Sequence, residues 1–250
     1  MKFITMTALA VGLAAALSFT AASASEATIR DAVKLINPKA EVKSISDFGM
    51  PGVKQVVADT SVVYISDDGR FVFSGLMLDM VEKRNLSEEA QSLSRQALLS
   101  TIPKNAVISY EPKDVKHRIT VFTDVSCGYC QMLHKNMQSY LDKGIAVDYV
   151  PFPRGGLESP VFATMQSAWC AKDQKKALDA AYQGATPPEV KCADSVAAMY
   201  QLGDKLGVDG TPAIYDQYGN HMGGYVPADQ LVQQLDTHNT RKTGLKTAAK

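Results

Sequence analysis

The chain has 250 residues, with 26 acidic and 26 basic side chains in balance and four cysteines. This length allows one or two domains rather than several. The balanced charge leaves no basic patch dense enough for nucleic acid, so no nucleic-acid partner is expected.

Lys2 gives a short basic start, and Phe3 to Thr20 is apolar or small without a charge. Ala22 and Ala24 fit the small-x-small cleavage rule, so residues 1–24 are expected to be a signal peptide cut after Ala24. Thr5, Thr7 and Ser18 interrupt the stretch, whereas a membrane anchor needs about 20 strongly apolar residues. Export makes the even cysteine count read as disulfide chemistry.

Ala27 to Ile36 has helical spacing, with Ile29, Val33 and Ile36 on one face and Asn37-Pro38 as a stop. Val53 to Ala58 and Val62 to Ile65 read as strands. Asp67-Asp68-Gly69 is a hairpin turn signal, and Arg70 to Phe73 reads as the return strand. Residues 25–85 thus predict an α+β domain, a small antiparallel sheet plus a helix. A unit of about 60 residues buries too little surface to be comfortably stable alone. Val56, Val62, Phe71 and Phe73 are expected to lack cover, and edge strands need it too. Leu86 to Thr101 predicts a helix capped at Ser87-Glu88-Glu89. No strand adjoins it, so residues 86–103 read as a linker helix rather than a first helix packed on the C-terminal domain.

Residues 104–240 form the next domain. Ile119 to Phe122 reads as a buried strand, Cys127 to Leu141 as a helix and Ile145 to Val150 as a strand, which makes a parallel pair with a crossover helix. Pro160 to Asp204 is a mostly helical insertion. Ala213 to Tyr215 and Met222 to Tyr225 form a hairpin, and Pro227 to Thr237 a last helix. Residues 241–250 are expected to be a flexible, solvated tail.

The sharpest motif is Cys127-Gly128-Tyr129-Cys130, between a strand and a helix. Unsatisfied N–H groups and the positive end of the helix dipole favour a thiolate at the first cysteine. Thiolates attack disulfides and thiols do not, and Cys130 is close enough to resolve the product. Half of a zinc site is the alternative. It wants four ligands, and Cys170 and Cys192 are not a second such pair. His134, one turn on, reads as an ordinary helix-surface histidine, and no metal or cofactor is expected. Four cysteines permit three pairings, and spacing does not choose among them. If Cys127 pairs with Cys130, Cys170 and Cys192 remain for each other. Trp169 beside Cys170 reads as core packing. Gly210-Thr211-Pro212 precedes the last hairpin, where thioredoxin-like folds carry a cis-proline.

The motifs V-F-T-D-V-S-C-G-Y-C (121–130), F-P-R-G-G-L (152–157), W-C-A-K-D (169–173) and L-G-V-D-G-T-P-A (206–213) resemble, in identity and order, the DsbC family of bacterial periplasmic disulfide isomerases. Val62 to Gly69 is similar to that family's dimerisation domain. The resemblance implies an α/β thioredoxin-like catalytic domain with a helical insertion, paired as a V-shaped homodimer in the periplasm. It implies Cys127 as nucleophile and Cys130 as resolving cysteine. Gly128, Tyr129, Thr211 and Pro212 are implied to meet substrate, and Cys170 and Cys192 to form a structural disulfide. The implied partners are misfolded, disulfide-containing exported proteins and an inner-membrane, DsbD-like reductant. Chaperone-like binding of unfolded chains is a further implication, and a monomeric oxidase is disfavoured because it needs no dimer cleft.

Overall fold

The computed structural model describes residues 26–190, 192 and 195–248, so the expected signal peptide lies outside the described residues. Helix α1 (Glu26–Ile36) turns Ile29, Ala32 and Val33 inward. Ile36, expected on that face, ends the helix and is exposed. Four antiparallel strands follow, in the order β1 (Val42–Ser46), β2 (Val53–Ala58), β3 (Ser61–Ser66) and β4 (Val72–Ser74). The sequence signal missed β1 because this edge strand has no buried residue. Val56 and Val57 face opposite sides of β2, as the two-residue period of a strand requires. Val56 joins Ile29, Val33 and Ile65 under α1, and Val57 joins Val62 and Tyr64. Val56 and Val62 are therefore covered, contrary to expectation. Phe71 and Phe73 are not, at 51% and 53% exposure, and Leu76, Met80 and Val81 are also exposed.

A short hairpin, β5 (Leu78–Asp79) and β6 (Arg84–Asn85), leads directly into α2 (Leu86–Leu99), so a strand does adjoin this helix. Asn85, not Ser87, is the cap: it is extended, and its side chain accepts from the Glu88 N–H at 3.0 Å. The Ser87 hydroxyl is committed elsewhere, 2.6 Å from the Tyr64 hydroxyl and accepting from the Met77 N–H. Along α2, Ala90 packs on the first sheet and Leu98 and Leu99 pack against the core of the second region. Arg95 Nε donates to the Gly219 carbonyl at 2.9 Å. The helix thus touches both regions.

The second sheet is centred on β8 (His117–Thr123). It runs parallel to β9 (Ile145–Pro151) and antiparallel to β10 (Ala213–Asp216), with β7 (Ile108–Tyr110) and β11 (His221–Gly223) at the edges. The crossover is two helices, α3 (Gly128–Lys135) and α4 (Met137–Asp142), because Asn136 leaves helical geometry between them at ψ 15°. Val121 and Phe122 point to opposite faces. Val121 enters a core with Leu133, Tyr149 and Trp169, and Phe122 one with Phe152, Leu202 and Tyr215. Trp169 is core packing, and its Nε1 donates to the Ala106 carbonyl. The insertion supplies α5 (Pro160–Cys170), α6 (Gln174–Tyr182) and α7 (Ser195–Leu206). Helix α8 (Ala228–Ala248) covers most of the segment expected to be a tail, and no proline stands between 228 and 248 to stop it.

Candidate active site

The central strand delivers the reactive loop. β8 ends at Thr123, and the buried Asp124 then shapes the turn. One carboxylate oxygen accepts from the Ser126 N–H and hydroxyl at 2.7 and 2.6 Å. The other accepts from the Arg154 N–H at 2.8 Å and from Arg154 Nε at 3.3 Å. The turn leaves Cys127 at the cap position of α3, extended rather than inside the first turn as expected. The free N–H groups of α3 therefore begin just beyond its sulfur.

The pairing of β10 with β8, Ala213 opposite Phe122, carries the preceding Thr211–Pro212 peptide to the same end of the sheet. That peptide is cis. The Cys127 thiol lies 3.1 Å from the Thr211 carbonyl, and the two segments are 84 residues apart in sequence. Cys127 is 3% exposed and Cys130 is fully buried, and both are free thiols. Tyr129 is exposed and stacks on Tyr225, and Gly128 has open space where a side chain would stand.

The two thiols differ electrostatically. Burial opposes the Cys127 thiolate, but the polar groups of Thr211, Cys130 and the Tyr129 backbone outweigh it and hold the pKa below the ordinary cysteine value. Burial pushes Cys130 up to about 12; the polar groups of Thr123, the Asp124 backbone and Thr211 oppose the rise, and the charge of Cys127 adds to it. The first thiol therefore ionises far more readily than the second. Such a pair can attack a disulfide through its first sulfur and resolve the adduct through its second.

Cys170, at the end of α5, is bonded to Cys192, with 5.5 Å between Cα atoms. Cys192 is exposed.

A family model described as a thioredoxin-like domain matches residues 103–239. Another, described as the disulfide bond isomerase protein N-terminal domain, matches residues 20–88. The thiol:disulfide interchange protein DsbC of Escherichia coli (strain K12) is 36% identical over 223 residues, 89% of this chain and 92% of that protein. The Salmonella typhimurium protein of the same name is 37% identical over 93% of this chain and 96% of its own length. That of Pasteurella multocida is 39% identical over 76% and 83%.

The chain belongs to the DsbC family of thiol:disulfide interchange proteins.

Within this DsbC-family site, sequence reasoning missed three supporting groups. Asp124 and Arg154 each sat inside a motif, but nothing in the spacing tied one to the other. Thr123 meets Tyr182, 59 residues on, with 2.5 Å between their hydroxyls. His134 is not a surface histidine. It stacks on Tyr182 with 4.2 Å between ring centroids and bonds Asp179 at 3.0 Å.

Proposed function

We propose that the chain is a periplasmic protein disulfide isomerase and reductase, exported by a cleaved signal peptide, with Cys127 as nucleophile and Cys130 as resolving cysteine. The observation that carries this reading is the contrast between the sulfurs: an activated Cys127 at a helix start, 3.1 Å from the Thr211 carbonyl, beside a fully buried Cys130. The Cys127 thiolate attacks one sulfur of a wrong disulfide, and the other sulfur leaves as a thiolate. That freed thiolate can attack a different disulfide of the same substrate and release Cys127, which is isomerisation. Alternatively the Cys130 thiolate attacks the Cys127 sulfur. The substrate then leaves reduced, and the Cys127–Cys130 disulfide needs two electrons from a DsbD-like inner-membrane reductant to return. The extended substrate segment lies along Thr211 and Pro212, with Gly128 and Tyr129 at the entrance.

In this reading residues 25–85 pair two copies as a homodimer, the helix after them joins each copy to its catalytic domain, and the cleft binds misfolded exported proteins in a chaperone-like manner. The exposed apolar group of Phe71 and, on the edge strand β4, Val72 and Phe73 supports the pairing. Cys170 and Cys192 serve as a structural disulfide.

Refolding of a scrambled multi-disulfide protein tests the roles. Cys127→Ala is expected to abolish shuffling, and Cys130→Ala to leave mixed disulfides that persist on a non-reducing gel. Full activity in Cys127→Ala removes the assignment of the nucleophile.

A further inference from the structure

Cys130 has a difficulty that the attack by Cys127 does not share. It is fully buried, yet it must lose its proton before it can resolve the mixed disulfide. The ionisable groups that bear on it are Cys127 from the start of α3, Tyr149 from β9 and Tyr182 from α6. None of the three carries a positive charge in either of its protonation states. Behind Tyr182 stand Tyr110, His134 and Asp179. Burial lowers the His134 pKa despite the opposing Asp179 carboxylate, so this imidazole is neutral at neutral pH. Stabilisation of a Cys130 thiolate therefore falls to neutral hydrogen-bond donors.

The Thr123 side chain acts on Cys130 in the direction that favours its thiolate. Its hydroxyl is also 2.5 Å from that of Tyr182, and either oxygen can be the donor. With Cys130 protonated, the Thr123 O–H can donate to Tyr182. With Cys130 ionised, the Tyr182 O–H donates to Thr123, and the Thr123 O–H turns to the sulfur. The Tyr182 ring is clamped for this. His134 stacks on its face at 4.2 Å, and Asp179 accepts from the Tyr110 hydroxyl at 2.6 Å while bonding His134 at 3.0 Å.

We propose that Tyr182 is a positioning residue for the resolving step, its hydroxyl aiming the Thr123 O–H at the Cys130 sulfur. The proposal rests on the assignment of Cys130 as the resolving cysteine. The balance is simple: the Cys130 proton leaves, its thiolate bonds Cys127, and the partner's sulfur departs with the electron pair of the broken bond. Tyr182 and Thr123 reorient their protons and lose none.

Reaction of the reduced, full-length protein with dithionitrobenzoate separates the two steps. The first release of the coloured thiolate reports attack by Cys127, and the second reports resolution by Cys130. Tyr182→Phe keeps the ring and its stacking. It should leave the first phase unchanged and slow the second by roughly three- to tenfold near neutral pH, about what loss of a polarising neighbour to a charged hydrogen bond removes. The pH profile of the second phase should move to the alkaline side. Thr123→Val should slow that phase at least as much, Tyr182→Phe should add nothing on top of it, and Thr123→Ser, which keeps the hydroxyl, should keep the rate. A second phase unchanged in Tyr182→Phe overturns the proposal. So does full additivity with Thr123→Val, or equal rates in Thr123→Val and Thr123→Ser. Absence of a second phase in the native protein strikes instead at the role of Cys130, and absence of a first phase at that of Cys127.

Discussion

The two larger sheets of this chain, of four and five strands, differ in what they enclose. Around the second sheet, Trp169, Tyr140, Tyr149 and Phe122 are fully or almost fully buried, and helices cover both faces. Around the first, Tyr64, Ile29 and Ile65 are the large buried side chains, and β4 leaves Val72 and Phe73 in solvent beside Phe71. A large core can hold two thiols with opposed pKa shifts, because burial and fixed hydrogen bonds act on them differently. A small core has no such capacity, and its uncovered apolar residues fit association instead. The division suits an enzyme that does its chemistry in one region and pairs two copies through the other.

Deleting residues 25–85 breaks the comparison most severely. The remaining chain is expected to sediment as a folded monomer and to reduce small disulfides at a near-native rate. Isomerisation of a scrambled protein should fall by about tenfold or more, because two linked weak sites lose their shared effective concentration. A truncated protein that remains dimeric, or isomerises as well as the intact one, shows that the first region has another job.

The Cys170–Cys192 bridge sharpens the comparison from within the second region. It closes a loop with a sequence separation of 22, and opening it should cost about 3 kcal/mol on the chain-entropy model. In a Cys170→Ala/Cys192→Ala protein the melting temperature should drop while the alkylation rate of Cys127 at neutral pH stays native. A change in Cys127 reactivity would mean that the bridge also shapes the reactive loop.

How much of this was legible in sequence depends on the range of each interaction. The strand, crossover and strand around Cys127 could be read because periodicity is local, and Thr211–Pro212 because its order in the chain is informative. Strands β1 and β7 escaped: β1 buries no residue, and β7 has only three residues. The cap of α2 was misplaced by two residues because Ser87 and Asn85 are both good caps, and the choice lay with Tyr64, 23 residues away from Ser87. The pairs Asp124–Arg154 and Thr123–Tyr182 join residues 30 and 59 apart. No spacing rule reaches that far, so the Cys127–Cys130 motif was readable and the groups that support it were not.

The smallest expected effect lies where the two regions meet. The turn between β10 and β11 packs on α2 so closely that a Cβ on Gly219 would stand 2.1 Å from the Ser92 carbonyl oxygen and 2.6 Å from the Gln96 nitrogen. Both are helix backbone atoms and cannot step aside. Gly219 also has φ +81°, a left-handed conformation that costs an L-residue free energy by itself. Around it, Arg95 donates to the Gly219 carbonyl and pairs with Glu88, and the Gln96 side chain donates to the Gln217 carbonyl at 2.9 Å. Gly219→Ala should therefore cost about 2 kcal/mol and push the turn off the helix. Gly223→Ala is the matched control, because Gly223 has φ +91° but open space where its Cβ would go. It should carry the backbone strain alone. The difference between the two melting temperatures isolates the contact between α2 and the turn, and limited proteolysis near residues 217–220 should accelerate only in Gly219→Ala. If both variants melt together and resist the protease equally, the helix is not fastened to the catalytic region through this turn, and Leu98 and Leu99 must hold it there by themselves.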